Sequence, residues 1–174
     1  DGTTNVTNSG TIAGNVNLVP AANSNAKAGS ITNTTSGIYI PAGAVIVSNN
    51  SLKNYGKVFV DGIGIVGETD IHGSYKQYST GTTYFDFNTT FGTNDYLKIV
   101  ADNVSVGTML QGGRFQMTRV DSNTLPTIGK TALLVTAQGG FLSSADGVDA
   151  TPISISDTSP LVVWGLQQQA NNLL

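Results

Sequence analysis

The sequence contains no cysteine and a single histidine, and only 11% of its 174 residues are charged. An average soluble domain carries about 25% charge. The missing cysteine leaves no disulfide framework to read and, by itself, does not place the chain in any compartment. One histidine weakens every Ser-His-Asp or Cys-His arrangement, and Gly-x-Ser-x-Gly is absent. The eight Lys and Arg residues are scattered singly, so no basic stripe exists to follow a phosphate backbone, and nucleic-acid binding is excluded. No apolar run approaches the ~18 residues of a membrane span. Strong helix formers are sparse. Neither a signal peptide nor an initiator Met precedes Asp1, and the chain therefore reads as a processed product or an excised fragment.

What is present is Gly (21 residues), with Ser, Thr and Asn supplying the polar surface and hydrophobic residues making up 39%. Gly and Asn tolerate positive φ in turns, and Thr fits a pleated surface. The composition is that of an all-β chain of short strands and frequent turns.

Self-similarity decides which β architecture is expected. Val6-Thr7-Asn8-Ser9-Gly10-Thr11-Ile12, Ile31-Thr32-Asn33-Thr34-Thr35-Ser36-Gly37-Ile38 and Leu52-Lys53-Asn54-Tyr55-Gly56-Lys57-Val58 share one pattern. Each runs apolar, Thr or Lys, Asn, a short turn with Gly, then apolar again. The Asn residues are 25 and 21 positions apart, a period that fits one coil of a parallel β-helix. Coils stack about 4.8 Å apart, and none buries its inward side chains alone. Equivalent positions then lie above one another, so Asn8, Asn33 and Asn54 are expected to form an amide ladder.

Further along, Val58, Val60, Ile63 and Ile65 alternate with small or polar residues, as do Tyr84–Phe87 and Tyr96–Val100. Gly112-Gly113 between apolar segments predicts a hairpin. Thr131–Thr136 is a near-continuous apolar run ending at Gly139-Gly140, Pro160–Trp164 is the last strand candidate, and Gln167–Asn172 is polar enough to fray.

Several residue sets invite a chemical reading. Gly62-Ile63-Gly64-Ile65-Val66-Gly67 matches a dinucleotide fingerprint, with Asp86 at the distance of a ribose ligand, but Glu68–Gly73 is a poor helix and the motif needs one. The glycines are read as easing tight corners. Glu68, Asp70 and His72 alternate, so a strand would present them on one side as a metal-binding set or as a solvated face, and the second reading is preferred. Arg114, Arg119 and Asp121 do not converge into the groove a polysaccharide-cleaving enzyme needs. Five Asn-x-Ser/Thr sequons, at Asn5, Asn33, Asn49, Asn88 and Asn103, are accounted for by composition. No catalytic, cofactor or metal site is assigned.

Residues 55–174, about two-thirds of the chain, resemble the C-terminal passenger region of autotransporters, including its autochaperone segment. Gly73-Ser74-Tyr75-Lys76-Gln77 is similar to that family's Gly-x-Tyr-x-Gln strand, and Asn94-Asp95-Tyr96-Leu97-Lys98-Ile99 to its Asp-x-Leu-x-Val/Ile step. Leu133-Leu134-Val135-Thr136-Ala137-Gln138-Gly139-Gly140 resembles its Leu-Leu-Thr-Ala-x-Gly-Gly strand and turn. Where the family has a Gly-rich step after the Asp95 strand, this chain has Ala101-Asp102-Asn103.

The resemblance implies a right-handed parallel β-helix with a C-terminal β-hairpin cap. Residues 1–90 would be β-helix coils and 91–174 autochaperone-like coils and cap, in one continuous solenoid. Structural weight would fall on Asn8, Asn33, Asn54, Tyr75, Asp95, Leu97, Leu134, Gly139, Gly140 and Trp164. It further implies a non-enzymatic stalk or adhesin, secreted or displayed on a Gram-negative cell, without cofactor or membrane insertion of this fragment. Its partners would be its own C-terminal outer-membrane β-barrel in the precursor and a host cell-surface or matrix protein. The absence of cysteine suits passage through an outer membrane unfolded. The alternatives are a polysaccharide-binding or -degrading β-helix, expected to show an aromatic or carboxylate-lined groove, and a self-associating adhesin.

Overall fold

The computed structural model describes residues 4–19, 29–88, 93–100, 109–121, 131–138, 154–157, 165–170 and 172–174. Among them every regular element is a strand, and the strands form two sheets. The chain enters the first sheet with β1 (Val6–Asn8) and the second with β2 (Thr11–Ala13), then repeats the move. β3 (Ile31–Asn33), β5 (Ala44–Asn54) and β7 (Glu68–Gln77) join the first sheet. β4 (Ile38–Ile40), β6 (Lys57–Phe59) and β8 (Thr82–Asn88) join the second. β9 (Thr93–Asn94) lies antiparallel on β8, after which the alternation resumes. β10 (Tyr96–Val100) and β11 (Met109–Leu110) both lie against β7, and β12 (Arg114–Arg119) lies against β8. β13 (Val135–Ala137) pairs with β10, and β14 (Ser154–Asp157) with β12.

All these pairings except that of β9 are parallel, and consecutive strands in a sheet come from successive passes of the chain. Parallel strands need a crossover longer than a tight turn, and here the opposite sheet serves as the crossover. β5 and β7 are bent and serve the first sheet twice. Ala44–Ile46 pairs with Asp70–His72, and after a register shift Ser51–Asn54 pairs with Ser74–Gln77. Each such pass therefore lays down three strand segments.

The register stacks apolar residues inside. Ile31, Leu52 and Tyr75 form one column, Tyr39, Val58, Thr83 and Phe115 a second, and Val45, Ile71, Ile99 and Ala137 a third; all are fully buried. Alternation explains the sorting: β10 reads half-buried, buried, half-buried, with Leu97 and Ile99 inward. Phe85 and Phe115 meet edge to face at 5.1 Å between ring centres. Both sheets carry on from the first half of the chain into the second, because β10 continues β7 and β12 continues β8.

Two expectations are corrected. Gly112-Gly113 does not close a hairpin, because β11 and β12 lie in different sheets. The pair turns a corner with φ of 89° and 87°, and a Cβ on Gly113 would sit 2.4 Å from the Gly81 carbonyl oxygen beneath it. The glycines answer to the pass below rather than to a two-residue turn. The polar C-terminal segment is paired: β15 (Gln168–Gln169) runs antiparallel to β16 (Asn172–Leu173), which runs antiparallel to β13. Leu173 is buried against the core, and Gln167 and Leu174 exchange both backbone hydrogen bonds.

Candidate functional site

Two polar arrangements inside the fold carry its chemistry, and the first is the amide column. Asn8, Asn33 and Asn54 occupy one register position of β1, β3 and β5. Asn8 Nδ2 donates to Asn33 Oδ1 at 2.9 Å, and Asn33 Nδ2 donates to Asn54 Oδ1 at 3.0 Å. Each amide nitrogen also donates across the corner to a carbonyl of the second sheet: Ile38 O, Lys57 O and Thr82 O respectively. The column thus binds successive passes together and ties the two sheets at their shared corner.

Gln77 is a fourth member of the column. It is the register partner of Asn54, it is fully buried, and its Oε1 accepts from Asn54 Nδ2 at 3.4 Å. Its Nε2 donates to Arg114 O at 3.1 Å. The longer side chain places its oxygen beside the Tyr75 hydroxyl, which donates to it at 2.8 Å, and beside the Thr83 hydroxyl, which also donates to it. Burial pushes the Tyr75 phenol well above its ordinary pKa, with its Thr83 and Asn54 hydrogen bonds opposing. The signal for Gln77 was in the sequence. Tyr75-Lys76-Gln77 followed four residues later by Gly81 repeats the spacing of Ile31-Thr32-Asn33 followed by Gly37. Close approach demands the glycine at this corner: a Cβ on Gly56 would lie 2.2 Å from Thr34 O and 2.4 Å from Gly37 O.

The second arrangement gathers carboxylates under the glycine-rich loop. The Gly64 N–H donates to Asp86 Oδ2 at 2.5 Å, with the Ile65 N–H alongside. The Gly67 N–H donates to Asp95 Oδ1 at 2.7 Å, and the Asp86 N–H donates to Asp95 Oδ2 at 2.6 Å. Asp61 completes the group, its carboxylate lying against Gly67. The Gly-x-Gly-x-x-Gly segment therefore does cradle acidic groups with its backbone N–H groups, but these are the chain's own side-chain carboxyls. The segment leads into the strand β7 and not into the helix that a pyrophosphate requires. Asp95 is fully buried, and burial pushes its carboxyl up to about 8. Its two backbone hydrogen bonds pull the other way, and the Asp86 and Asp61 charges add to the rise. Burial likewise raises Asp86 and Asp61. The alternation of Ile63 and Ile65, expected of a strand with one buried face, is corrected: the segment is a loop that leaves both outside, 61% and 59% exposed.

The remaining candidates resolve as surface features. Glu68, Asp70 and His72 do share the outer face of β7, but Lys98 sits between the two carboxylates at 3.0 and 3.4 Å, and the Tyr96 hydroxyl donates to Glu68. No cluster of three metal-ligating side chains occurs among the described residues. Arg114 and Arg119 lie at opposite ends of β12, about 16 Å apart at ordinary strand rise. Asn33 has its amide committed to the column, which leaves no room for a glycan. Outer aromatic rings stack on one another, Tyr55 on Tyr78 at 4.1 Å and Phe59 on Tyr84 at 4.2 Å. In each pair a ring face that could pack against a sugar is spent on its neighbour.

Of the other residues given structural weight, Tyr75, Asp95 and Leu97 are fully buried and Leu134 nearly so. Leu97 N donates to Leu134 O, and Leu134 N to Leu173 O, so these backbones link β10, β13 and β16. Gly139, Gly140 and Trp164 lie outside the described residues. No family model, curated protein or solved structure matches the chain.

Proposed function

We propose that this chain is part of a right-handed parallel β-helix serving as the displayed scaffold of an autotransporter passenger, a stalk or adhesin without a catalytic step. The observation that carries the reading is the four-member amide column, Asn8–Asn33–Asn54–Gln77, running through parallel strands in unbroken register. Such a column stabilises a stack of like circuits and is of no use to a compact sandwich, in which these residues would lie apart.

In this reading residues 91–174 are the folding segment. The pair β15–β16 lies across the end of the first sheet with Leu173 turned inward and acts as a lid. The first circuit keeps Val6, Ile12, Val16 and Leu18 only partly buried while the later ones bury their apolar residues, so folding that starts at the carboxyl end gives each later circuit a finished surface to fold on. The partners are the chain's own outer-membrane barrel in the precursor and a host surface or matrix protein on the displayed flank.

The test is display. The chain is placed between a signal peptide and an autotransporter barrel in a Gram-negative host, with a tag at its amino end. The tag should become accessible to external protease, and Leu134→Ala should reduce that signal severalfold. Retention of the parent chain in the periplasm, or display indifferent to Leu134→Ala, overturns the proposal.

A further inference from the structure

We infer that the corner at which the chain turns from the first sheet into the second is a binding edge for a sulfated polysaccharide, held by Lys53, Lys57, Lys76 and Arg114. The edge needs only the register of the passes, so it stands apart from display and goes beyond the host protein named above as a partner.

The cations are scattered singly along the chain, but folding gathers these four. Lys53 is the register partner of Lys76 in the first sheet, about 4.8 Å away at ordinary strand spacing. Around the corner, Lys57 and Arg114 occupy one register position of the second sheet, with Thr82 between them. Two strand spacings, about 10 Å, therefore separate their backbones. Lys53 and Lys76 are half-buried, and Lys57 and Arg114 are exposed. Between the two columns Tyr55 stacks on Tyr78, and their hydroxyls share a hydrogen bond.

Charge is sorted by corner. Asp61, Glu68, Asp70, Asp86 and Asp95 stand where the chain passes back from the second sheet into the first. The bend of β7 at Gly73, with φ of 135°, separates Asp70 from Lys76. Cations on the acidic side are paired, Lys98 with Glu68 and Asp70, and Arg119 with Asp121. Among the described residues, none of the four at the other corner has an acidic partner. Like charges directly opposite on neighbouring strands are destabilising. Lys53 and Lys76 therefore repel each other, and an anion seated over both relieves the repulsion.

The shape of the edge selects among anions. The cations wrap a convex corner over three successive passes, which suits a flexible polymer and not a flat bilayer. Among the described residues, no exposed large apolar side chain stands there to enter a membrane. Single-stranded nucleic acid uses open aromatic faces for its bases, whereas Tyr55 and Tyr78 turn a face on each other. Charge, and not stacking, is the handle. Sulfate groups set close together on a sugar chain fit it: each lysine ammonium meets one as a point charge, and the Arg114 guanidinium forks onto two oxygens.

The test is calorimetric titration of the chain with heparin, a sulfated polysaccharide. Heparin should bind at low salt and more weakly as salt is raised. Lys53→Gln, Lys57→Gln, Lys76→Gln and Arg114→Gln should each weaken binding roughly fivefold. Lys98→Gln removes one cation from the acidic corner and should change it by less than about twofold. Without heparin, Lys53→Gln should unfold at the parent's temperature or above it, because the repulsion is gone; lost binding is then not lost folding. Heparin should raise the unfolding temperature of the parent and leave a Lys53→Gln, Lys76→Gln double variant nearly unmoved. No binding at low salt, or an equal loss from Lys98→Gln, overturns the inference. So does equal affinity for desulfated heparin, polyglutamate, single-stranded DNA or phosphatidylserine vesicles, since the edge would then not be selecting a sulfated sugar chain.

Discussion

Replacing Asn33 with alanine removes the centre of the amide column, and the structure sets the size of the effect. Asn33 is fully buried and takes part in three hydrogen bonds: as acceptor from Asn8, and as donor to Asn54 Oδ1 and Lys57 O. A net ~1 kcal/mol for each gives a loss of about 3 kcal/mol. The penalty for stranded partners is limited, because Asn8 keeps its bond to Ile38 O and Asn54 Oδ1 keeps the Gly56 N–H. In a chain of this length the loss lowers the thermal midpoint by about 6–12 °C. Asn33→Asp should be worse than alanine, since it turns a donor into a carboxylate oxygen facing Asn54 Oδ1 and Lys57 O in a dry site. The assay is urea unfolding followed by circular dichroism, with exposed Thr11→Ala as control, and a double-mutant cycle with Asn54→Ala isolates the coupling. A loss for Asn33→Ala no larger than that of Thr11→Ala would refute the claim that the column holds the passes together.

Gly56→Ala should cost about 1–3 kcal/mol by forcing a methyl into two backbone carbonyls. Gly10→Ala should be near neutral, since its Cβ meets nothing within 4 Å; comparing urea midpoints checks the pair. Asp95 holds its proton more tightly folded, at about 8, than unfolded, at about 4. Its contribution is therefore complete below about pH 4 and is lost as pH rises toward 8. Asp95→Asn should be less stable than the parent at pH 5 and flatter between pH 5 and 9; parallel pH profiles would contradict this. Leu134→Ala, at a site 2% exposed, should cost about 2–5 kcal/mol and slow refolding more than Val16→Ala in the first circuit. Equal refolding rates in stopped-flow would count against carboxyl-end nucleation.

How much of this was legible in the sequence depends on whether a feature repeats. Parallel stacking and the alignment of Asn8, Asn33 and Asn54 could be read because three segments spell one pattern at similar spacing. Gln77 escaped because the column changes from Asn to Gln there, and the extra methylene is accommodated by a Tyr75–Thr83 hydroxyl pair that no local pattern announces. The carboxylate cradle escaped for a different reason. Its glycines resemble a phosphate loop, Asp86 was weighed only as a ribose ligand, and the second partner, Asp95, lies 28 residues beyond Gly67 on a later pass. The register shift inside β5 was hidden too: Ala44–Asn54 carries neither Gly nor Pro to mark it between Ile46 and Ser51, and only Gly73 of β7, at φ 135°, stands opposite it. Gly112-Gly113 carried the strongest turn signal in its region and misled, because local turn chemistry cannot tell a hairpin from a corner between two sheets.

Register and spacing are decoupled in this molecule. Val6, Ile31, Leu52 and Tyr75 stack one above the next although 25, 21 and 23 residues separate them. Gly29 N donates to Leu18 O at 3.4 Å, so these two residues are tied to each other. Lengthening the connection between two such tied points adds only about 0.6 kcal/mol per doubling of its length. That junction is a natural port for foreign sequence: an epitope or a small domain spliced into it would ride on the flank while every amide rung stays in place.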